Sequence, residues 1–383
     1  MQYRAFGKTG MQVSALGLGC MRLPRIVTPE KTQVDTEKAF ELIRYALAHG
    51  VNYFDTAFTY HGGHSESVLG EALDGGLRKQ AYIVTKQPIG YMTDADATRR
   101  NLETALTRLR TDYLDAYLMH NINASGWPLF QQKQVYAQYE RFRAEGMIRN
   151  IGFSYHGGLP LFREVLAAYP WDMCQIQMNL LDVDKEATEE AIALAGEKGV
   201  ALVIMEPLRG GGLAGGPASV RALYDAYPVR RTPAEWAFRH MLDYPQVSTI
   251  LSGMTTLEQL KENIATFSAP DALPGCLCEA EHALLRQVKQ AYEAVVTIPC
   301  TGCEYCLPCP QGVGIPTIFN LYNNGFMYDT FLPSQRSYMF ATKAGADATH
   351  CVGCGACQRA CPQRIGIMSA LQTAHEALKG WAE

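Results

Sequence analysis

The chain has 383 residues, of which 48% are hydrophobic and 19% charged, so it is long enough for a large core and a second domain. Its net charge of -4 provides no broad basic surface, which makes nucleic acid a poor candidate partner. No apolar stretch approaches the roughly 18 residues of a membrane span, and residues 1–8 contain no apolar signal core. We therefore expect a cytoplasmic protein with no membrane or nucleic-acid partner.

Short apolar runs alternate with amphipathic helices over the first two thirds of the chain. Arg4–Val13, with Lys8-Thr9-Gly10 at its centre, predicts a hairpin. Eight strand candidates follow, at Val13–Leu18, Asn52–Ala57, Ala81–Lys86, Tyr113–His120, Arg149–Ser154, Met173–Met178, Ala201–Glu206 and Val247–Leu251. Apolar residues at roughly i, i+3, i+4 and i+7 predict intervening helices, which include Glu37–Ala48, Asp94–Leu109, Gln134–Glu145, Glu186–Lys198 and Leu257–Phe267.

This alternation predicts an α/β fold with a parallel sheet buried on both faces. Eight strand–helix units in about 250 residues match a (β/α)8 TIM barrel, with the N-terminal hairpin capping its floor. An open, doubly wound sheet is the alternative, but no G-x-G-x-x-G follows the first strand.

After the barrel, a linker at Ser268–Gly275 leads to a predicted helix at Glu279–Val295 and two cysteine runs. The runs contain eight of the 12 cysteines, at Cys300, Cys303, Cys306 and Cys309-Pro310, and at Cys351, Cys354, Cys357 and Cys361-Pro362. Thiols stay reduced in the cytoplasm, so we expect metal ligands rather than disulfides. Three evenly stepped cysteines before Cys-Pro favour two 4Fe-4S clusters. Two zinc sites with four thiolates each are the alternative.

The second run has the spacing of a bacterial ferredoxin, and the first is one residue shorter at its last interval. The gap between the runs has helical character at Ile315–Tyr322 and Phe331–Phe340, which resembles α-helical ferredoxin domains. That resemblance implies crossed ligand sets, Cys300, Cys303, Cys306 and Cys361 for one cluster and Cys351, Cys354, Cys357 and Cys309 for the other. We therefore expect a barrel at 1–275, a linker and connecting helix at 276–298, and a mainly helical ferredoxin-like domain at 299–383.

Ionisable residues end three successive predicted strands. Asp55 closes the second strand, Lys86 the third and His120 the fourth, while Tyr60 follows Asp55 by five residues. Catalytic groups of such barrels lie at the carboxyl ends of the strands, so we expect these four side chains to lie together at that end of the barrel. Taken singly, each could instead be a loop cap, half of an ion pair or a structural histidine.

Residues 1 to about 267 resemble an aldo/keto reductase. Asp55, Tyr60, Lys86 and His120 match that family's tetrad in order and local motif, and Gly7–Cys20 resembles its opening segment. The resemblance implies hydride transfer between a nicotinamide and a carbonyl, with Tyr60 as the proton donor. Lys86 would lower the pKa of the Tyr60 phenol, Asp55 would hold Lys86 charged, and His120 would orient the carbonyl oxygen.

The same resemblance implies contacts to the nicotinamide half of the cofactor. Ser154 and Gln175 match residues that hold the carboxamide, whereas Tyr155 stands where the family has asparagine. Met205 takes the place of a tyrosine that stacks on the nicotinamide ring. Further expected contacts to the cofactor are Gly19, Cys20, Met21, Asp55, Pro207, Leu208 and Gly211, the last from a glycine patch that could equally be a flexible loop.

Gly253, Gln259, Glu262 and Asn263 match the adenosine end. Gly253 and Gln259 replace basic residues that clamp a 2′-phosphate, so NADH is a candidate alongside NADPH. Lys261 or Arg209 is the alternative cation.

The expected function is reduction of an aldehyde or ketone, or oxidation of the alcohol, with NAD(P)H. Two 4Fe-4S clusters would serve a structural or an electron-relay role. The relay would need an electron-transfer protein partner and an external flavin, because a hydride carries two electrons and a cluster passes one. The alternative is an electron-transfer protein that uses the barrel as a docking module. The small-molecule substrate would contact the loops Met21–Val34, His61–Ser65 and Asn121–Phe130. In the last of these, Trp127 and Phe130 are either pocket or anchor residues.

Overall fold

The computed structural model describes residues 1–28, 32–94, 96–183, 186–300, 302, 304–361 and 363–380. The chain forms two compact units. The first combines Met1–Gly210 with Glu235–Cys278, and the second combines Gly211–Ala234 with Glu279–Glu383. Within the described ranges, every helix is too short or too polar to cross a membrane.

Eight parallel strands close a barrel, which confirms the (β/α)8 prediction. Its strands follow one another in chain order, and the last pairs with the first through Ile250 opposite Leu16. In the described residues the strands are β1 (Tyr3–Ala5), β2 (Gln12–Ser14), β3 (Leu16–Gly19), β4 (Arg25–Val27), β5 (Thr32–Val34), β6 (Tyr53–Asp55), β7 (Tyr82–Pro88), β8 (Leu114–Ile122), β9 (Ile148–Tyr155), β10 (Met173–Gln177), β11 (Ala201–Met205) and β12 (Val247–Ser252). The barrel consists of β3 and β6 to β12.

Helices follow most barrel strands and continue into the second unit. In the described residues they are α1 (Thr36–Ala48), α2 (His64–Ala72), α3 (Ala97–Leu109), α4 (Gly126–Gln132), α5 (Val135–Ala144), α6 (Leu159–Ala168), α7 (Thr188–Glu197), α8 (Ala218–Ala226), α9 (Pro233–Leu242), α10 (Leu257–Ser268), α11 (Glu279–Ala294), α12 (Ile315–Met327), α13 (Leu332–Lys343), α14 (Ala356–Ala360) and α15 (Ile367–Leu378). The helical character predicted for the C-terminal region is confirmed.

The N-terminal hairpin β1–β2 pairs Arg4 with Val13. Phe6, Met11 and Val13 share one buried cluster with interior strand residues, so the hairpin caps the barrel. The predicted strand Val13–Leu18 is divided between β2 and β3. The chain turns at Ala15, where Ser14 Oγ donates to the Leu16 carbonyl oxygen over 2.6 Å. Ser14 is the only polar residue of the run Val13–Leu18, which is why the pattern did not reveal the turn.

In the second unit, α12, α13 and α15 pack around their own apolar core. Ile318, Phe319, Leu371 and Ala374 are almost fully buried there. Helix α8, from the segment that follows β11, packs on α11 within the same unit. The second unit therefore includes a segment that interrupts the barrel sequence.

Candidate active site and cluster cysteines

The four candidate catalytic side chains line one cavity of about 350 Å³ at the carboxyl ends of the strands. Asp55 is the last residue of β6, and Lys86 and His120 lie on β7 and β8. Tyr60 begins a short turn that precedes α2. Parallel pairing of β6, β7 and β8 brings their carboxyl ends to the same face, so residues distant in sequence meet there.

Lys86 is buried, and its ammonium group has three oxygen neighbours. Nζ lies 2.6 Å from Asp55 Oδ1, 2.8 Å from the Thr56 carbonyl oxygen and 3.5 Å from the Tyr60 hydroxyl oxygen. Burial acts to lower the pKa of Lys86, but Asp55 and Tyr60 act against it and the net shift is upward. Lys86 is therefore a cation at neutral pH and faces the Tyr60 oxygen.

Tyr60 and His120 are both in their neutral forms near pH 7. Burial raises the pKa of Tyr60; Lys86 acts to lower that pKa, as expected, but the effect of burial is larger. Burial, followed by the charges of Lys86 and His156, lowers the pKa of His120 to about 3. The two rings meet edge to face, with centroids 5.8 Å apart. The pair can therefore offer O–H and N–H donors to a single acceptor.

A buried acidic side chain connects the strand of Lys86 with the segment that carries Tyr60. Glu66, on α2, accepts from Thr85 Oγ1 over 2.7 Å and from Arg108 Nη1 over 3.0 Å. Arg108 also donates to the Phe58 carbonyl oxygen over 3.2 Å and lies over the Phe58 ring. This Thr85–Glu66–Arg108 network supports both partners of the Lys86–Tyr60 contact.

Ser154 on β9 and Gln175 on β10 are paired neighbours whose side chains together complement an amide group. Gln175 is 2% exposed, and in the described part of the chain its Oε1 has no hydrogen-bond partner. Ser154 Oγ accepts from the backbone N–H of Asn121 over 2.8 Å, which leaves the hydroxyl hydrogen available to donate. An unpaired buried acceptor beside a donor fits a ligand carboxamide, and the residues present are therefore compatible with a nicotinamide.

The other predicted cofactor residues fall into two groups. Gly19, Met21, Met205 and Gly253 line the same cavity. The cavity lining does not include the remaining predicted contacts among the described residues, which are Cys20, Pro207, Leu208, Gly211, Gln259, Glu262 and Asn263.

Some of this second group have structural partners. Cys20 is fully buried, and its carbonyl oxygen accepts from Ser65 Oγ. Gln259 Oε1 accepts from the Thr255 N–H, and Asn263 Nδ2 donates to Ser252 Oγ, so both brace the turn before α10. Gly211 belongs to the second unit.

Six described cysteines of the two runs pack against the apolar core of the second unit. Cys300, Cys306 and Cys361 line one small apolar cavity. Burial raises the pKa of Cys357, and the nearby thiols of Cys351, Cys309 and Cys354 add to that rise. Each Cys-Pro cysteine therefore lies with the opposite run. Cys303 and Pro362 lie outside the described residues.

Comparison with known proteins decides the family of the barrel. The model of the aldo/keto reductase family matches residues 15–271. The chain belongs to the aldo/keto reductase family. A second model, that of a 4Fe-4S dicluster domain, matches residues 299–365. This aldo/keto reductase is therefore an oxidoreductase with a C-terminal ferredoxin-like domain.

Individual relatives agree with this assignment. L-galactose dehydrogenase from Arabidopsis thaliana is 28% identical over 314 residues, which cover 76% of this chain and 96% of the plant protein. The holo form of an aldo-keto reductase from Bacillus halodurans has a TM-score of 0.62 at 25% identity, covering 75% of this chain and 96% of its own. A thermostable aldo-keto reductase solved with the inhibitor epalrestat has a TM-score of 0.63 at 29% identity, covering 75% of this chain and all of its own.

Five polar residues that line the reductase cavity were not named individually from the sequence: Arg22, Asn121, His156, Gln177 and Glu206. Arg22 and Asn121 belong to two of the loops that were expected to contact the substrate. Gln177 lies two residues after Gln175 on β10, and the period of two could have placed both on one face. Asn121 lies near the end of β8, and the other three follow a barrel strand by one to three residues. Polarity directly at or after a strand end was the available signal.

Three aromatic residues of the reductase lie away from the cavity. Trp127 and Phe130 are buried and stacked, with centroids 5.4 Å apart, and Trp127 Nε1 donates to Glu164 Oε1. Their role in this structure is that of anchors for α4. Tyr155 is buried against Phe162, and its hydroxyl donates to the Gly158 carbonyl oxygen over 2.6 Å. Tyr155 is therefore not among the residues that line the cavity.

Proposed function

We propose that this aldo/keto reductase reduces an aldehyde or ketone, or oxidises the corresponding alcohol, with NAD(P)H. The observation that carries the proposal is the Asp55–Lys86–Tyr60 series of contacts in one cavity with His120. The buried, unpaired Oε1 of Gln175 in the same cavity supports a nicotinamide carboxamide beside it. A bound nicotinamide would supply the hydride.

The protein's own side chains would provide the proton and the charge stabilisation. Tyr60 is protonated near pH 7 and would donate its hydroxyl proton to the carbonyl oxygen of the substrate. Lys86 would stabilise the phenolate that remains, and Asp55 would keep Lys86 charged and in position. His120, as a neutral imidazole, would donate a hydrogen bond to the same carbonyl oxygen. Alcohol oxidation would use the same groups in reverse.

The cofactor would lie across the ends of the last four barrel strands and the first. Ser154 and Gln175 would hold the carboxamide, and the Met205 thioether would pack on the nicotinamide ring. Gly19, Cys20, Met21, Pro207 and Leu208 would line its path, and Gly253, Gln259, Glu262 and Asn263 would contact the adenosine half. Arg209 forms an ion pair with Asp182 over 3.2 Å, and the Lys261 ammonium lies over the Tyr45 ring, so each alternative cation already has a partner in the protein. NADH therefore remains a candidate beside NADPH.

We also propose two 4Fe-4S clusters, one on Cys300, Cys303, Cys306 and Cys361 and one on Cys351, Cys354, Cys357 and Cys309. Proximity within each quartet among the described cysteines supports the crossed assignment. The clusters would supply one-electron carriers, but we favour a structural role because the second unit's apolar core is small. A reducing compartment such as the cytoplasm suits these thiolates. Anaerobic purification should give about eight irons and eight sulfides per chain.

A carbonyl screen with NADH and NADPH in parallel tests the enzymatic proposal. The wild-type protein should oxidise at least one cofactor in the presence of an aldehyde or ketone. Tyr60→Phe should lower kcat by about 10²- to 10⁴-fold because it removes only the proton donor. Tyr305→Phe is the matched control, since Tyr305 is 70% exposed in the second unit. Equal turnover in the wild type and Tyr60→Phe would refute the mechanism.

A further inference from the structure

His156 is a polar residue of the cavity wall to which the proposed catalytic scheme gives no role. It follows β9 directly and lines the same cavity as Tyr60 and His120. Ser154, two residues earlier, lines this cavity too, whereas Tyr155 between them packs on the other side of the strand, as strand alternation requires. The His156 side chain therefore lies one step beyond the proposed carboxamide site, at the carboxyl end of the barrel.

Hydrogen bonds fix the position of His156. Its backbone N–H donates to the Ile122 carbonyl oxygen over 2.9 Å, which extends the pairing of β9 with β8 by one residue. The Tyr155 hydroxyl donates to the Gly158 carbonyl oxygen over 2.6 Å and closes the turn on the other side of His156. The histidine is therefore presented by a braced strand end, which places a ligand-binding group more accurately than a free loop does.

A buried carboxylate oxygen faces one nitrogen of the His156 ring. Glu186 Oε2 lies 3.5 Å from His156 Nδ1. This oxygen is shielded from solvent and has no hydrogen-bond partner among the described residues. A buried carboxylate oxygen requires a donor, so the ring proton belongs on Nδ1, the nitrogen that faces it. In the neutral ring the other nitrogen, Nε2, is then a hydrogen-bond acceptor.

The chain after β10 adopts a rare backbone conformation where it brings Glu186 to this position. Glu186 has a φ of 31° and Thr188 a φ of 65°, both in the left-handed region. A β-branched residue such as Thr188 rarely has a positive φ, because its side chain collides with the backbone. Backbone strain of this kind is concentrated at functional sites. Here it accompanies the placement of a carboxylate beside a residue of the cavity.

We propose that His156, oriented by Glu186, determines specificity by accepting a hydrogen bond from a substrate hydroxyl group on the carbon next to the reacting carbonyl. The inference rests on the proposed function and deepens it by naming the substrate class, the hydroxylated carbonyl compounds. A charge on His156 acts to lower the pKa of His120, so the two rings are close, and a carbonyl oxygen bonded to His120 would lie near His156. Glu186 beside the ring and Glu206 in the same cavity disfavour an anionic group at this position.

Two aldehydes of nearly equal shape test this proposal. Lactaldehyde has a hydroxyl group on the carbon next to the carbonyl, and isobutyraldehyde has a methyl group in its place. Steady-state kinetics of the full, iron-loaded protein with NAD(P)H should give a kcat/KM about tenfold higher for lactaldehyde, which is the effect of one hydrogen bond. His156→Phe should reduce this ratio to about one, and His156→Gln should retain part of it because an amide oxygen can accept. His49→Phe is the matched control, since His49 is exposed at the end of α1.

The Glu186 contact gives a second arm of the experiment. Glu186→Gln keeps the size of the side chain but removes the charge that orients the ring, and it should lower the ratio by about two- to threefold. The His156→Phe/Glu186→Gln double variant should show no greater loss than His156→Phe alone, because Glu186 acts through the ring. Glu197→Gln, at the exposed end of α7, is the control. Additive losses would overturn the orienting role of Glu186.

Failure of the inference is distinguishable from failure of the proposed function. If the wild-type protein reduces no carbonyl compound with either cofactor, the proposed function fails and the inference fails with it. If it reduces carbonyl compounds without preferring lactaldehyde, or if His156→Phe lowers kcat/KM equally for both aldehydes, only the inference fails. Thermal melting of each variant checks folding, and the partly exposed His156 and the exposed His49 should leave the melting temperature almost unchanged.

Discussion

The barrel and the C-terminal unit position their functional side chains in different ways. Asp55, Lys86 and His120 lie on barrel strands, and hydrogen bonds within the protein orient Lys86. Most described cysteines of the two runs lie in loops, and six of them are partly buried against a small apolar core, whereas Cys354 is exposed. The comparison teaches that the barrel organises its site through its own packing, and we expect the second unit to depend on what its thiols bind. The predictions below test that difference, beginning with the largest expected effect.

Loss of iron should unfold the second unit and leave the barrel intact. Structural metals can supply about 10 kcal/mol or more of folding free energy in small domains. Chelation, or Cys309→Ser with Cys361→Ser, should therefore expose residues 211–234 and 279–383 to protease while residues 1–210 and 235–278 stay protected. Limited proteolysis and mass spectrometry measure this difference. Cys278→Ser, outside both runs, is the control. Equal protection with and without iron would contradict a structural role.

Asp55→Asn should damage both stability and catalysis in the barrel. Removing one partner of a buried ion pair costs about 3–5 kcal/mol because the other charge stays buried. Without the carboxylate, the pKa of Lys86 falls and its ammonium group loses the partner that positions it, so kcat should fall by about 10²-fold or more. Denaturant unfolding and steady-state kinetics provide the two measurements. Asp74→Asn, at an exposed pair with Arg110, should change stability by less than about 1 kcal/mol.

Arg108→Ala should have a smaller effect, concentrated on kcat. It removes the cation from buried Glu66 and a donor from the Phe58 carbonyl oxygen, two residues before Tyr60. Slight misplacement of Tyr60 should lower kcat by about ten- to hundredfold with little change in KM. Arg110→Ala, an exposed neighbour, serves as the comparison in the same assay. An increase in KM with an unchanged kcat would show that Arg108 does not position Tyr60.

The pH profile should show the smallest effect. Tyr60 must be protonated to donate, and its pKa lies above the ordinary value, so activity is present below that pKa and lost above it. The pKa of His120 is about 3, so His120 stays neutral through the assay range. We expect kcat for carbonyl reduction to be nearly flat between about pH 5 and 9. A break near pH 6.5 that disappears in His120→Asn would show that His120 titrates in the working enzyme.

Sequence patterns predicted most of the barrel because its strands are buried on both faces and its helices have one apolar face. The tetrad followed from residues at strand ends. The hairpin β4–β5 was not predicted, since its strands are mostly exposed and lack core periodicity. His156 and Glu206 were missed as well, because a single polar residue after a strand forms no motif. The packing of α8 on α11 was not predicted either, because a contact between distant segments leaves no signal in the local sequence of each helix.

One measurement tests the central claim that the barrel carries the chemistry and the clusters do not. The iron-loaded protein is incubated anaerobically with its best carbonyl substrate and either NAD(P)H or dithionite alone, and the alcohol product is quantified against a protein-free control. The account predicts product with NAD(P)H, its loss in Tyr60→Phe, and none with dithionite alone. Product formed from dithionite-reduced protein without nicotinamide would contradict it.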